Sequence, residues 1–197
     1  IIGLAITILV GFSNQVIISV NAGELFTPTE GDIKTWRYGK LILPGSSTTS
    51  GVPLEVSELL QDTEDWAQNV KKHYLKPDAK VPIVLYLHSC GGNDHYSWSG
   101  VLSEWGFGVI SPNSFARDGR FKNCGTMPGP KLFKMRMAEL RYALQQIKKV
   151  DWIDQTRLIL MGHSEGSFFP PAYSENDFTA HIVLAGNCRF SGLHAAP

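Results

Sequence analysis

The chain has 197 residues and a mass of 21.8 kDa, and its 18 Lys+Arg balance 18 Asp+Glu to a formal net charge of zero. That balance argues against a nucleic-acid protein, which needs excess cations to displace counterions from phosphates. Hydrophobic residues at 43% exclude intrinsic disorder, and three cysteines are too few for a disulfide-built scaffold.

Ile1 to Val20 carries no charged residue. Its first ten residues have the length and polarity of a secretory h-region, and Ser13-Asn14-Gln15 interrupts the run. Val20-Asn21-Ala22 offers small residues at the spacing a signal peptidase reads. Residues 1–22 are therefore expected to be a signal peptide whose start is missing; a membrane anchor and a buried helix are the alternatives. Residues 23–197 are expected to form one domain, secreted or periplasmic, with no stable membrane span after cleavage.

Ile33 to Leu43 alternates loosely in polarity and predicts a strand or hairpin arm. Pro44 to Gly51 is rich in turn residues, and Val56 to Tyr74 carries a helical stripe of Leu59, Leu60, Trp66, Val70 and Tyr74. Four short apolar runs follow: Val81 to Leu87, Phe107 to Ile110, Leu158 to Met161 and His181 to Leu184. Continuous apolar runs without alternation predict strands covered on both faces, as in a parallel sheet. Helical patterns lie between them, at Ser97 to Trp105 and Lys131 to Lys149. In the second, Phe133, Met137, Leu140, Leu144 and Ile147 mark one face, while Arg136, Arg141, Lys148 and Lys149 lie off it. Strands alternating with helices predict an α/β, doubly wound, mostly parallel sheet. Ligands of such sheets bind outside the carboxyl ends of the strands, so the residues after each run are the ones to inspect.

After the third run stands Gly162-His163-Ser164-Glu165-Gly166, a Gly-x-Ser-x-Gly motif. Its mechanics need a sharp strand-to-helix turn presenting the Ser164 hydroxyl above the sheet, with glycines leaving room for the turn to pack. A plain Gly-Ser turn is the structural alternative. After the first run stands His88-Ser89-Cys90-Gly91-Gly92, where paired glycines let backbone N–H groups approach a carbonyl oxygen. An oxyanion hole is expected from the N–H groups of Glu165 and Cys90, with Ser89 as the alternative to Cys90. His88 is expected to brace the loop rather than face substrate. Tyr96, Trp98, Phe115, Phe121, Phe168 and Phe169 fall near the strand ends and either line a pocket or cover the sheet edges.

His88-Ser-Cys-Gly-Gly92, Ser111-Pro-Asn-Ser-Phe-Ala-Arg117 and Leu160-Met-Gly-His-Ser-Glu-Gly166 together resemble the dienelactone hydrolase-like branch of the α/β-hydrolases, over about residues 81–197. The resemblance implies an α/β-hydrolase fold with an eight-stranded core, a Ser-Asp-His triad, and small-molecule esters or lactones as substrates. The name-giving enzymes use a Cys nucleophile where this chain has Ser164, and Pro170-Pro171 predicts a short or kinked helix after the turn. In that fold the acid and the His follow later strands. Only 33 residues follow Ser164; Glu175 and Asp177 precede the last apolar run, and His194 is the one late His. None of the six histidines sits where the fold places its catalytic His. The C-terminal strands are therefore expected to be missing, and the 197 residues alone to be inactive as an esterase and marginally stable.

The leading expectation is a serine hydrolase acting through an acyl-enzyme on Ser164. The alternative is a non-catalytic α/β-hydrolase-like binding protein without a complete triad. No cofactor or metal is expected, because the chain lacks Cys-x-x-Cys, His-x-x-x-His and a phosphate loop. Cys90, Cys124 and Cys188 fall on one rim of the predicted sheet. A disulfide from Cys124, to Cys90 by preference or to Cys188, competes with three reduced thiols.

Overall fold

The computed structural model describes residues 26–61, 65–92, 98–122, 124 and 129–186. Residues 1–22, expected to be a signal peptide, and His95, Tyr96, Cys188 and His194 lie outside the described residues. In chain order the elements are α1 (Glu30–Arg37), β1 (Lys40–Leu43), β2 (Leu54–Glu55), α2 (Trp66–Tyr74), β3 (Val81–Leu87), α3 (Trp98–Glu104), β4 (Gly108–Ser111), α4 (Pro130–Lys148), β5 (Ile153–His163) and β6 (Ala180–Leu184). The six described strands form one mixed sheet in the order β2-β1-β4-β3-β5-β6. Strands β3 to β6 run parallel, and β1 is antiparallel to both β2 and β4.

The continuous apolar run of β3 has the burial expected of a doubly covered strand: all seven residues are buried. Ile83, Leu85 and Leu87 share a core with Leu140, Ala143, Leu144 and Ile147 of α4, Trp66 and Val70 of α2, and Trp36 of α1. Val84 and Tyr86 turn the other way, toward Val109, Met161 and Leu102 of α3. Helices thus cover both faces of the sheet. Each large apolar side chain buried here contributes on the order of 1.5–3 kcal/mol.

Two readings of the N-terminal half need correction. Ile33 to Leu43 is not one strand or hairpin arm: α1 occupies Glu30–Arg37 and only Lys40–Leu43 is strand. The helix starts because Thr29 and Asp32 form a capping box, with the Asp32 carboxylate accepting from Thr29 N–H at 2.8 Å and Thr29 Oγ1 accepting from Asp32 N–H at 3.3 Å. The stripe from Val56 to Tyr74 is split into a 3₁₀ turn at Ser57–Gln61 and α2.

The order of crossovers locates the site. From β3 the chain passes through α3 to β4 on one side, then returns through α4 to β5 on the other side of β3. The connections leaving the carboxyl ends of β3 and β5 therefore diverge, which makes this the topological switch point of the sheet. The two segments at that switch point are His88 to Gly92 and Gly162 to Gly166.

Candidate functional site

β5 ends at His163, and the chain reverses at once into a 3₁₀ turn, Ser164–Phe168. Ser164 sits at φ 52°, in the left-handed region that costs a non-glycine residue of order 1–3 kcal/mol. The flanking glycines are required by contact. A Cβ at Gly162 would stand 2.1 Å from Gly166 O, and a Cβ at Gly166 would stand 2.0 Å from Leu87 O and 2.9 Å from His88 O. The turn thus folds onto itself and seats its far side on the end of β3. The helix after the turn is short, as the two prolines predict: the 3₁₀ turn gives way at Pro170 to a second one, Pro170–Ala172. Glu165 N–H belongs to the first residues of such a turn, which have no partner within it.

The β3 loop is a tight turn in which Gly92 at φ 112° takes a conformation reserved for glycine. Gly91 N–H donates to Ser89 Oγ and Gly92 N–H to Ser89 O, both at 3.1 Å. Neither bond uses the Cys90 N–H. Cys90 is joined to Cys124 in a disulfide, the preferred pairing on sequence, which ties this loop to the segment after β4.

His88 is fully buried and braces the loop, as the sequence suggests. Its Nδ1 stands 2.7 Å from Ser89 O, and its Nε2 accepts from Ser114 N–H at 2.9 Å. That pair of bonds selects the Nδ1–H tautomer. Burial, and then the Arg136 guanidinium, hold His88 well below its ordinary value of 6.5.

A buried ionic cluster that the sequence pattern does not single out lies beneath both segments. Arg120 donates from Nη2 to both carboxylate oxygens of Glu165, at 2.6 and 2.8 Å. Arg117 pairs with Asp32 and reaches Glu139 Oε1 at 3.2 Å, where Ser114 Oγ also donates at 3.1 Å. Arg136, off the apolar stripe of α4, is as buried as that stripe. Burial pushes the Glu139 carboxyl above its usual value, against the pull of Arg136 and Arg117. The only signal in sequence is Arg136 and Glu139 at i, i+3, a spacing far more often found on a solvated face.

The other candidates divide. Phe115 tilts over His88 at 5.1 Å with Arg120 against its ring, whereas Phe121 is exposed. Phe169 is fully buried and stacked on Phe133 at 5.1 Å. Trp98 and Phe168 pack against the two cores as partly buried residues. His181 stands at the start of β6 beside Tyr173 and Phe178, and His73 lies in α2 beside Tyr74. A cavity of about 320 Å³ lined by Arg37, Tyr38, Lys40, Glu55 and Gln61 opens at the β2–β1 edge of the sheet, away from Ser164.

Among the described residues no group of three His, Cys, Asp or Glu side chains is placed to hold a metal ion, and no helix is long and apolar enough to cross a membrane. Comparison of the chain with protein-family models and with curated proteins yields no match.

Proposed function

We propose that the protein is a serine hydrolase of the α/β-hydrolase type that cleaves carboxylic ester or lactone bonds. The observation that carries this reading is Ser164 at φ 52°, at the carboxyl end of β5, in a turn whose glycines contact the end of β3. A strained serine between two obligatory glycines at a topological switch point is the geometry a nucleophile elbow needs. In this reading Ser164 Oγ bonds to the ester carbonyl carbon and its proton passes to a histidine base. The carbonyl π pair moves onto oxygen, held by the Cys90 and Glu165 N–H groups. Collapse expels the alcohol, which takes that proton, and water repeats the steps to free the acid. The resemblance to the dienelactone hydrolase-like branch supplies the ester and lactone class, and the implied base and acid are not assigned to residues of this chain.

Of the four described histidines, His163 directly precedes Ser164 in the chain, and the other three favour keeping a second reading. His88 spends both ring nitrogens on the loop, and His73 and His181 stand on elements away from the carboxyl end of β5. A binding protein that keeps the turn without a triad fits those observations. Treating the full-length protein with a fluorophosphonate, followed by peptide mapping, separates the two. The hydrolase reading expects stoichiometric adduct on Ser164 and turnover of p-nitrophenyl acetate; a folded protein with neither is the binding protein.

A further inference from the structure

Arg136 projects from α4 and is 1% exposed. Burying a guanidinium costs several kcal/mol of hydration unless its donors are matched, so the destinations of those donors are informative. Nη2 donates to His88 O at 3.1 Å. Nη1 stands 3.4 Å from His88 Nε2 and 3.5 Å from Glu165 Oε1. Nε faces Glu139 Oε2 at 3.6 Å, and the guanidinium carbon lies 5.6 Å from the centre of the Phe169 ring. One side chain thus touches the β3 loop just before Cys90, the residue after Ser164, and a ring of the following turn. Those are the two backbone segments whose N–H groups must converge on one oxygen.

We propose that Arg136 is a positioning residue that holds both donors of the oxyanion hole in register. The proposal rests on the hydrolase reading above. The fork geometry is what the task requires, because a planar guanidinium presents donors in several directions at once. Its base is rigid: α4 has 19 residues, and Glu139 one turn along holds Arg136 while tying in Ser114 and Arg117. On the far side Arg120 closes on the Glu165 carboxylate, so Glu165 is clamped between two guanidiniums. The strand ladder does not set this spacing by itself: its last β3–β5 pair is Leu87 with Gly162, and beyond it Gly166 packs on Leu87 O and His88 O while Cys90 and the Glu165 side chain depend on other partners. A misplacement of about 1 Å between donor and oxyanion is enough to cost on the order of 100-fold in rate.

The test compares wild type with Arg136→Lys and Glu165→Gln in the full-length protein. Lys keeps the charge and loses the fork; Gln keeps the backbone and loses the ion pairs. Each variant that melts cooperatively is expected to lose kcat by on the order of 100-fold with KM within about twofold. Affinity for an aryl trifluoromethyl ketone should weaken in step with kcat/KM. With that probe Ser164 Oγ bonds to the ketone carbon, the Oγ proton passes to the base, and the resulting oxyanion occupies the hole. A merely structural Arg136 would lower the urea midpoint while leaving kcat per folded molecule and the ketone affinity unchanged, and that result overturns the proposal. Should Arg136→Lys not fold, Glu165→Gln carries the test. Wild-type protein that neither takes the fluorophosphonate at Ser164 nor turns over ester defeats the hydrolase reading itself. Wild-type turnover with unchanged variants defeats only the role of Arg136.

Discussion

The two segments at the switch point are held by different physics. The β5 turn is fixed first by close backbone packing: Gly162 and Gly166 admit no Cβ, Ser164 takes φ 52° between them, and Arg120 and Arg136 hold the Glu165 carboxylate beneath. The β3 loop has two short bonds of its own, from Gly91 and Gly92 N–H to Ser89, and is otherwise held by partners distant in sequence: Ser114 N–H and Arg136 on His88, and Cys124 on Cys90. Close packing leaves a turn little room to shift. A loop locked by distant partners is only as firm as each partner. The nucleophile is therefore the rigid half of the proposed site and the β3 donor the adjustable half, with Arg136 bridging them.

The largest expected effect is on the rigid half. Ser164→Ala keeps the same strained backbone, so the melting temperature should hold while ester turnover falls by on the order of 10⁴-fold or more. Turnover near the wild-type rate would remove Ser164 from the chemistry. Next comes Gly166→Ala, whose methyl would press on Leu87 O at 2.0 Å. Neither partner is a flexible side chain, so β3 and β5 must part, and urea denaturation should show a loss of about 3 kcal/mol or more. Gly100→Ala is the control: it lies in α3 with open space around it and should stabilise by up to about 1 kcal/mol.

The same contrast explains what was legible in sequence. The β5 turn was readable because its constraints are local: two glycines, a serine and an apolar strand lie within ten residues. β3 and β4 are readable because burial on both faces leaves an unbroken apolar run, whereas β6, expected to be covered in the same way, is exposed or half-buried along its whole length. The buried ion cluster was not readable. Arg117, Arg120, Arg136, Asp32, Glu139 and Glu165 come from four parts of the chain, and each looks like a surface residue until the fold gathers them. The start of α1 is hidden in the sequence for another reason. Its Thr29-x-x-Asp32 box is a sound helix signal, but the polarity alternation that follows runs through helix and strand alike and points to strand alone.

The adjustable half gives the next effect in size. Cys90 and Cys124 close a loop across 34 residues, and Cys124→Ser should cost about 2–3 kcal/mol by restoring entropy to the unfolded chain. If the disulfide also sets the β3 donor, kcat for esters should fall further than stability explains, with KM held. A thiol titration of the oxidised protein in denaturant should count one free thiol; a count of three would mean the bridge is absent.

The smallest effect is a pH dependence from the brace itself. His88 is held below its ordinary value of 6.5 because burial and Arg136 disfavour its charged form, with Arg120 and Lys122 adding to the effect. Below pH 6.5 the unfolded chain takes up a proton at this residue that the native protein does not. The unfolded state then binds more protons, so the stability His88 supplies is present above pH 6.5 and declines as pH falls, by at most about 1.4 kcal/mol per pH unit. Glu139 works in the opposite sense, since a raised carboxyl favours the native state as pH falls toward its unfolded value of 4.5. The two contributions overlap between those values, so a wild-type profile alone does not separate them. His88→Gln does, because it removes one titration and leaves the other. Its unfolding free energy between pH 6.5 and 5 should fall less steeply than that of wild type, whatever its absolute stability. Equal slopes would mean that His88 takes up a proton in the native state as readily as in the unfolded one, and the neutral brace with Nε2 accepting from Ser114 would be wrong.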